Sequence, residues 1–227
     1  MFLQVGVCGP LQANCYIVAT DKGCDCVIID PGMGAAHFVQ PSVEHNGLTP
    51  VAVLATHGHF DHVGDAAAVA DHYGIPMWIR SEDRPLLPDP ESGTGPGMGT
   101  WLSRVFPHGV PEPARIESLD GVGRLDVAGL AISVIHAPGH TPGSVLYRID
   151  DDITLVFTGD VVFAGSIGRT DFPCSDPAAM IRTLRGPVLS LPDSAELFSG
   201  HGEVTTMADE RATNPYLQPR FLDTPSL

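Results

Sequence analysis

Six consecutive residues combine three imidazoles with one carboxylate: His57-Gly58-His59-Phe60-Asp61-His62. Imidazole nitrogens and carboxylate oxygens are the ligand types that a divalent ion such as zinc accepts. Gathered in a small volume without a cation, these side chains would leave polar groups that must be solvated or paired. The cluster therefore predicts a metal site. The isolated histidines are predicted to be ordinary surface or core residues: His37, His45, His72 and His108.

The residues on either side of the cluster predict where it lies in the fold. Residues 51–55 form a short apolar run, which is typical of a buried strand. The alanine-rich segment 66–73 that follows is typical of a helix. The cluster is thus expected on the loop at the carboxyl end of a strand, where open sheets usually carry their sites.

Three more ligand-type residues follow apolar runs in the second half of the chain. The runs are each predicted to be strands: 130–135, 153–157 and 195–198. His140, Asp160 and His201 come after them, and each has glycine close by. Glycine lets the backbone approach a crowded ion site closely, so these three residues are expected to complete the metal site.

The complete candidate set has seven members: His57, His59, Asp61, His62, His140, Asp160 and His201. A structural zinc site uses about four ligands, so this set is too large for one zinc ion. It suits two ions about 3.5–4 Å apart that share a carboxylate, as in two-metal hydrolytic sites. Such ions lower the pKa of bound water from 15.7 to about 7, which predicts a metal-bound hydroxide as nucleophile. Asp61 is expected to orient that hydroxide and to accept its proton.

Length and composition favour one domain over residues 1–227. Further strands are predicted at 2–7, 15–19, 26–29 and 77–79, and a helix at 35–44. A segment at about 85–115 is dense in proline, glycine and serine, yet it also carries large apolar groups. A flexible linker would not, so an ordered excursion is expected there, with a short helix near Trp101. The excursion either roofs the site or packs as an ordinary surface loop.

The acidic composition argues against nucleic acid as a partner. The chain has 27 acidic and 12 basic residues and a net charge of −15, and such a surface repels phosphate backbones. No run approaches the ~18 apolar residues of a membrane span, and the first residues lack the basic start of a secretory signal. A cytoplasmic protein without a membrane partner is therefore expected. The five cysteines are sparse and odd in number, which suits reduced thiols.

The pattern His57-x-His59-x-Asp61-His62, followed by His140, Asp160 and His201, resembles the ligand signature of the metallo-β-lactamase superfamily. The resemblance covers nearly the whole chain. Several segments are similar to those of the small glyoxalase II-like (hydroxyacylglutathione hydrolase-like) hydrolases of bacteria: 158–160, 166–172 and 200–202, with Glu210-Arg211 and Asn214-Pro215 beyond them. The resemblance implies an α/β fold, the four-layer αββα sandwich, with the ions in the groove between sheet edges.

The resemblance also implies a division of the ligands and an activity. Asp160 would bridge two groups: His57, His59 and His140 for one ion, and Asp61, His62 and His201 for the other. Two divalent ions are expected, Zn²⁺ first, with iron or manganese as alternatives. The implied reaction is hydrolysis of a thioester of a small 2-hydroxy acid, so the partner is a small acyl-thiol molecule. The sequence makes no prediction of oligomeric state.

Other functions stay open at this point. Segment 168–172 is also similar to one in the iron-dependent persulfide dioxygenases, whose single iron would be held by His57, His140 and Asp160. Other ester or lactone hydrolases share the fold, and a metal-stabilised binding protein without turnover is a further alternative. Full-length glyoxalase II holds glutathione with a basic C-terminal domain, whereas few residues follow His201 here. That difference argues against glutathione as the thiol carrier.

Four further residues are candidates for substrate or supporting contacts: Arg169, Tyr16, His136 and Asn14. Arg169 either pairs with Asp171 to brace its loop or grips a substrate carboxylate, and the brace is favoured because such pairs commonly hold loops. Packing or strand-end hydrogen bonding is favoured for the other three. Because metal binding requires neutral imidazoles, activity is predicted to fall below about pH 6.

Overall fold

Two six-stranded sheets form the middle of the molecule in a computed structural model that describes residues 1–95 and 97–223. The strands of the first sheet lie in chain order: β1 Phe2–Cys8, β2 Ala13–Ala19, β3 Asp25–Ile29, β4 Thr49–Leu54, β5 Met77–Ile79 and β6 Ile116–Ser118. β1 to β3 pair antiparallel, and β3 to β6 pair parallel. One domain over 1–227 stays a prediction, and its residues 96 and 224–227 lie outside the described range.

The second sheet and a short two-stranded ribbon come from the second half of the chain. Their strands are β7 Arg124–Val127, β8 Leu130–His136, β9 Val145–Asp150, β10 Thr154–Gly159, β11 Val162–Phe163, β12 Ser166–Ile167, β13 Glu196–Ser199 and β14 Thr205–Thr206. The sheet has the order β14-β13-β10-β9-β8-β7, and β11 pairs with β12 as the ribbon. Only β10 and β13 pair parallel within this sheet, so they are the two neighbours whose carboxyl ends meet at the same edge.

Helices cover the outer faces of both sheets. They are α1 Ala36–Asn46, α2 Phe60–Val63, α3 Ala66–Tyr73, α4 Gly99–Val105, α5 Pro177–Thr183, α6 Met207–Thr213 and α7 Pro219–Leu222. Helices α1 to α4 pack on the first sheet, and α5 to α7 pack on the second. Across the described residues, no helix has the length and apolar character to cross a membrane.

Alternating side-chain direction along the strands produces the layers. On β2, Ile17 faces the helices, whereas its neighbour Tyr16 faces the second sheet. On β10, Val156 packs under the helices of the other side, whereas Phe157 faces the first sheet. Successive side chains on a strand point to opposite faces, so each sheet buries one face on helices and one on its partner sheet. The predicted four-layer α/β sandwich is confirmed.

Most predicted elements lie within two residues of the observed ends. The segments 66–73 and 77–79 match α3 and β5, and α1 stops at Gly47, whose φ of 64° is the left-handed conformation of a helix C-terminus. The elements that lie outside the predicted segments are β6, β7, β9, β11, β12, β14, α2 and the helices of the second half. Many of these elements are too short for periodicity to mark them.

The proline- and glycine-rich excursion at 85–115 packs on the domain where it is described. It contains α4, so the predicted short helix near Trp101 is confirmed. The ring centroids of Trp101 and Phe106 lie 5.5 and 6.2 Å from that of Phe60. Phe60 belongs to α2, which also carries two candidate ligands, so the excursion packs against a helix of the site.

Candidate metal centre

Loops from both sheets and helix α2 meet at one end of the sandwich, and together they carry all the predicted ligands. The loop after β4 carries His57 and His59 and runs into α2, which carries Asp61 and His62, so half of the cluster lies on a helix rather than on the expected loop. The loops after β8, β10 and β13 carry His140, Asp160 and His201. The amide of Gly200 donates to the carbonyl of Gly159 at 2.8 Å, which ties the last two loops together. The structure therefore brings together residues that lie far apart in the chain.

Glycine is required where two of these loops come closest. A Cβ atom at Gly200 would lie 2.2 Å from Asp160 Oδ1 and 2.6 Å from His62 Cε1. A Cβ atom at Gly159, whose φ is 48°, would lie 2.4 Å from the Thr56 hydroxyl. All three distances are far inside van der Waals contact, so a larger side chain would displace ligand-bearing backbone.

The first ligand group is His57, His59 and His140, whose ligand-type atoms lie within 4.8 Å of one another. His140 Nδ1 donates to the carbonyl of Arg169 at 2.8 Å, and the outer nitrogen of His59, Nε2, lies 3.8 Å from Cys174 Sγ. Their inner nitrogens, His59 Nδ1 and His140 Nε2, face each other at 2.9 Å. His57 Nε2 is buried without a hydrogen-bond partner. Three imidazole nitrogens thus point into one small volume.

The second ligand group is Asp61, His62 and His201, whose ligand-type atoms also lie within 4.8 Å of one another. His62 Nε2 and His201 Nε2 lie 3.3 Å apart, and Asp61 Oδ2 lies 3.3 Å from His201 Nε2 and 3.7 Å from His62 Nε2. His62 turns its other nitrogen, Nδ1, outward to Asp30 at 3.0 Å. The inner nitrogens and the carboxylate oxygen therefore converge as they do in the first group.

Asp160 lies between the two groups and offers an oxygen to each. Its Oδ1 is 3.3 Å from His62 Nε2 in the second group, and its Oδ2 is 3.5 Å from His140 Nε2 in the first. Oδ1 is nevertheless a buried oxygen that accepts no hydrogen bond. This carboxylate therefore lies within reach of both ligand groups.

These residues fit a pair of divalent ions. Lone pairs of neighbouring imidazoles repel each other at this separation unless a proton or a cation lies between them. Burial and the adjacent imidazole of His140 lower the pKa of His59 from 6.5 to about 3. Burial and the surrounding histidines also hold the pKa of His57 well below its usual range. Both side chains are therefore neutral at physiological pH, as ligation of a metal requires.

We expect metal-free protein to release a proton from the His62 imidazole when it binds zinc at about pH 8. Burial lowers the pKa of His62, but the carboxylates of Asp160, Asp61 and Asp30 outweigh burial and raise it from 6.5 to about 10. A raised pKa means that His62 keeps its proton up to that pH, and zinc must displace it. Apparent zinc affinity should therefore rise with pH, by about tenfold per pH unit for one displaced proton.

Calorimetric titrations in buffers of different ionisation enthalpy measure the protons released. His37→Asn is the matched control, because His37 is exposed and lies outside the site, and it should release as many protons as the native chain. A zinc affinity that stays constant from about pH 7 to pH 9 would contradict a protonated His62.

Asp30 is a supporting carboxylate that the sequence analysis does not identify. It is 1% exposed, and it accepts hydrogen bonds from the Thr56 amide at 2.7 Å, the Thr56 hydroxyl at 2.6 Å and His62 Nδ1 at 3.0 Å. It fixes the ring of His62 and the strand end that precedes His57. Its position directly after an apolar strand is the same signal that marks Asp160, but the following Pro31-Gly32 is equally typical of a simple turn.

Asp83 is a second unpredicted support, and it joins two ligand loops. Its side chain is completely buried. It accepts from the Gly58 amide at 2.9 Å beside His57 and His59, and from the Gly143 amide and the Thr141 hydroxyl at 2.6 Å each beside His140. Its local sequence, between Glu82 and Arg84, has the appearance of an exposed charged turn, so nothing local signals its burial.

Replacing Asp83 with asparagine should weaken zinc binding and activity about 10–100-fold each. All three partners of Asp83 donate hydrogen bonds, so the amide NH₂ of asparagine must face at least one donor. The loops that carry His59 and His140 would then separate. Zinc titration with a thermal melt measures the effect, and Glu82→Gln, in the exposed neighbour, is the control. A variant that binds zinc as tightly as the native chain would show that this carboxylate does not position the ligands.

Tyr16 and Asn14 both support the loop that carries His201. The Tyr16 hydroxyl donates to the carbonyl of Ser199 at 2.6 Å. The Asn14 side-chain amide donates to the carbonyls of Ser199 at 2.9 Å and Gly202 at 3.0 Å. Tyr16 therefore holds the backbone before His201, and Asn14 holds the backbone on both sides of it.

Arg169 and His136 differ in their relation to the site. Arg169 lines the cavity beside the ligands, and its guanidinium donates to both carboxylate oxygens of Asp171 at 2.6 and 2.8 Å. The favoured brace is therefore the contact that the structure has. His136 is exposed at the end of β8 and its Nε2 bonds the carbonyl of Pro142 at 2.9 Å. Its contact is a strand-end hydrogen bond rather than a substrate or ligand contact.

Comparison with known proteins places this centre in a family. The sequence profile described as the metallo-β-lactamase superfamily matches residues 8–201. Hydroxyacylglutathione hydrolase GloC of Haemophilus influenzae is 35% identical, over 91% of this chain and 93% of that protein. The crystal structure of BLEG-1 B3 metallo-β-lactamase is 33% identical with a TM-score of 0.82, covering 96% of this chain and 100% of that one. The crystal structure of TTHA1623 in a di-iron-bound form is 34% identical with a TM-score of 0.77, covering 94% and 100%.

The matched range begins at the end of β1 and extends to His201, so it contains every predicted ligand. The similarity to GloC and to the two solved structures extends over most of each chain, and it agrees with the two-sheet fold and with the clustered imidazoles. By its sequence profile, its fold and its clustered ligand-type residues, this chain belongs to the metallo-β-lactamase superfamily.

Proposed function

We propose that this protein is a binuclear metal-dependent hydrolase that cleaves thioesters of a small 2-hydroxy acid. The observation that carries the proposal is the position of Asp160, which offers one oxygen to each of two groups of ligand-type side chains at the floor of a cavity. A pair of ions held this way suits a hydrolytic reaction. The similarity to hydroxyacylglutathione hydrolase GloC supports a thioester as the substrate.

The ligands divide in this proposal as the two spatial groups suggest. His57, His59 and His140 would hold one ion, the group of Asp61, His62 and His201 would hold the other, and Asp160 would contact both. Two divalent ions, when bound, would supply an acidified water and a positive charge beside the acyl oxygen. Zn²⁺ suits the nitrogen-rich ligand set, and iron is a second candidate because the similar TTHA1623 structure is di-iron-bound.

Asp61 has the position and charge to orient the attacking water. It lines the cavity and is 13% exposed at the side chain. Burial would raise the pKa of Asp61, but His62, His201 and His59 outweigh burial and hold it below its usual range. The carboxylate is therefore ionised at neutral pH, so it can accept a hydrogen bond from the attacking water and orient it.

The side chains that line the cavity favour a substrate whose leaving group is a thiolate. No lysine, tyrosine or cysteine is among the described residues that line the cavity. A leaving group that needs little protonation would not require a dedicated general acid. Thiols have pKa values far below those of alcohols or amines as leaving groups, so a thioester fits this wall better than an amide.

The direct test is hydrolysis of S-lactoyl-glutathione and other acyl-thiols by zinc-loaded and iron-loaded protein, with oxygen uptake recorded. We expect free thiol to appear with either metal, oxygen to stay constant and chelation to abolish turnover. Oxygen consumption with a thiol persulfide, together with one iron per chain, would replace the hydrolase with the persulfide dioxygenase alternative. Absence of thiol release from every thioester would also refute the proposal.

A further inference from the structure

Five of the seven candidate ligands line the floor of a much larger cavity: His59, Asp61, His140, Asp160 and His201. Its volume is about 810 Å³, which is large for a lactoyl group alone and typical of a site for a drug-sized molecule. The side chains that line the rest of it are mostly apolar: Leu11, Phe60, Met98, Phe163, Ile167 and Phe172. They come from the loop after β1, from α2, from the excursion, from the ribbon of β11 and β12 and from the loop after β12, so several parts of the fold contribute to one apolar surface.

This apolar wall has no free positive charge among its described residues. Apart from the ligand histidines, Arg169 is the one basic side chain that lines the described part of the cavity. Its guanidinium already donates twice to Asp171 and lies 4.2 Å from the centroid of the Phe172 ring. A substrate carboxylate in this part of the cavity would lose water without gaining a charged partner, which is costly.

We propose that the thiol half of the substrate is uncharged and apolar, a compact aromatic or branched alkyl thiol. This inference rests on the thioesterase function proposed above. The small, polar 2-hydroxyacyl half belongs beside the cationic centre, so the remaining volume faces the thiol half. Water adds to the acyl carbon, the carbon–sulfur bond breaks, sulfur leaves with the bonding electron pair, and the products are the acid and the thiol. Burying an aromatic ring on this wall favours such a substrate over one with carboxylates.

Three lactoyl thioesters with the same acyl group test the inference: those of benzyl mercaptan, N-acetylcysteamine and glutathione. Their thiol halves are apolar, polar but uncharged, and doubly carboxylated. Rates of alkaline hydrolysis, measured in parallel, correct for the intrinsic reactivity of each thiol. We expect kcat/KM for the benzyl ester to exceed that for the glutathione ester by about tenfold or more, with the N-acetylcysteamine ester between them.

Two matched pairs of variants locate the preference on the apolar wall. Leu11→Ser removes an exposed apolar side chain from the wall, and Val5→Ser does the same at a similarly exposed residue that does not line the cavity; they are 43% and 49% exposed. Phe163→Ala removes most of an apolar side chain from the wall, whereas Phe163→Leu keeps a large apolar side chain there. Leu11→Ser and Phe163→Ala should lower the benzyl-to-glutathione ratio about threefold to tenfold, and the two controls should leave it unchanged.

The variant Arg169→Gln distinguishes two roles of Arg169, bracing its own loop and binding the substrate. If Arg169 only braces its loop, the variant lowers kcat/KM for the benzyl and glutathione esters by the same factor. A loss confined to the glutathione ester, through KM, would mean that Arg169 holds a substrate carboxylate, and it would overturn the inference. A glutathione ester that reacts as fast as the benzyl ester or faster in the native protein would overturn it as well.

Binding of unreactive analogues distinguishes failure of this inference from failure of the thioesterase proposal. Thioethers, in which a methylene replaces the acyl carbonyl, are titrated calorimetrically into zinc-loaded protein. We expect the benzyl thioether to bind at least about tenfold more tightly than the glutathione thioether, and Leu11→Ser to reduce that difference. Tight benzyl binding without hydrolysis of any ester would refute the proposed reaction alone. Hydrolysis without preference for the benzyl ligand would refute the apolar thiol half alone.

Discussion

Replacing Asp160 with asparagine should lower kcat/KM about 10³-fold and reduce the bound zinc from two ions per chain towards one. Asparagine keeps the shape but loses the negative charge, and its NH₂ group cannot accept an ion. Asp160 offers Oδ1 towards His62 and Oδ2 towards His140, so one of the two ion positions would lose its shared ligand. Metal analysis after dialysis and steady-state kinetics on one thioester measure both effects.

Asp152→Asn is the control for Asp160→Asn, because it removes the same charge from an exposed residue outside the site. It should bind two zinc ions and keep native kinetics. An Asp160→Asn variant that retains two tightly bound ions and full activity would show that this carboxylate does not join the two ligand groups.

Gly200→Ala should reduce activity about 100-fold although it adds a single methyl group. The added Cβ would lie 2.2 Å from Asp160 Oδ1 and 2.6 Å from His62 Cε1, so the loops of Asp160 and His201 must separate. Overpacking of this kind also destabilises a fold by about 1–3 kcal/mol. Kinetics measure the loss of activity, zinc titration measures the effect of the separated ligand loops, and urea unfolding measures the loss of stability.

Gly186→Ala is the matched control for Gly200→Ala. A Cβ at Gly186 would meet no atom within 4 Å, and no left-handed φ is needed there. The control should keep native activity. If Gly200→Ala also bound two zinc ions and turned over at the native rate, the close approach of the two loops would not matter for the site.

The clustering of the candidate ligands could be predicted from the sequence because they follow apolar runs and stand near glycine. His57 to His62 form a local cluster that needs no knowledge of the fold, and His140, Asp160 and His201 repeat the same strand-then-ligand order. The four layers could not be obtained from these patterns alone. The family resemblance supplied them, and the alternation of Tyr16 and Ile17 on β2 shows their physical basis.

The supporting carboxylates could not be predicted because tertiary contacts alone bury them. Asp83 follows Glu82 on a charged segment, and its partners Gly58 and Thr141 lie far away in the chain. Propensity and spacing describe neighbours in sequence, whereas these hydrogen bonds join different loops. β9 could not be predicted because it packs on both faces. Val145 and Leu146 at its start are both buried, so the strand lacks the alternation of a half-exposed strand.

The most direct measurement is a crystal structure of the zinc-loaded protein, with anomalous data collected on either side of the zinc absorption edge. We expect two zinc peaks about 3.5–4 Å apart, both within bonding distance of Asp160, one beside His57, His59 and His140 and the other beside Asp61, His62 and His201. A single zinc peak at full occupancy, or zinc bound away from these residues, would contradict the two-metal centre.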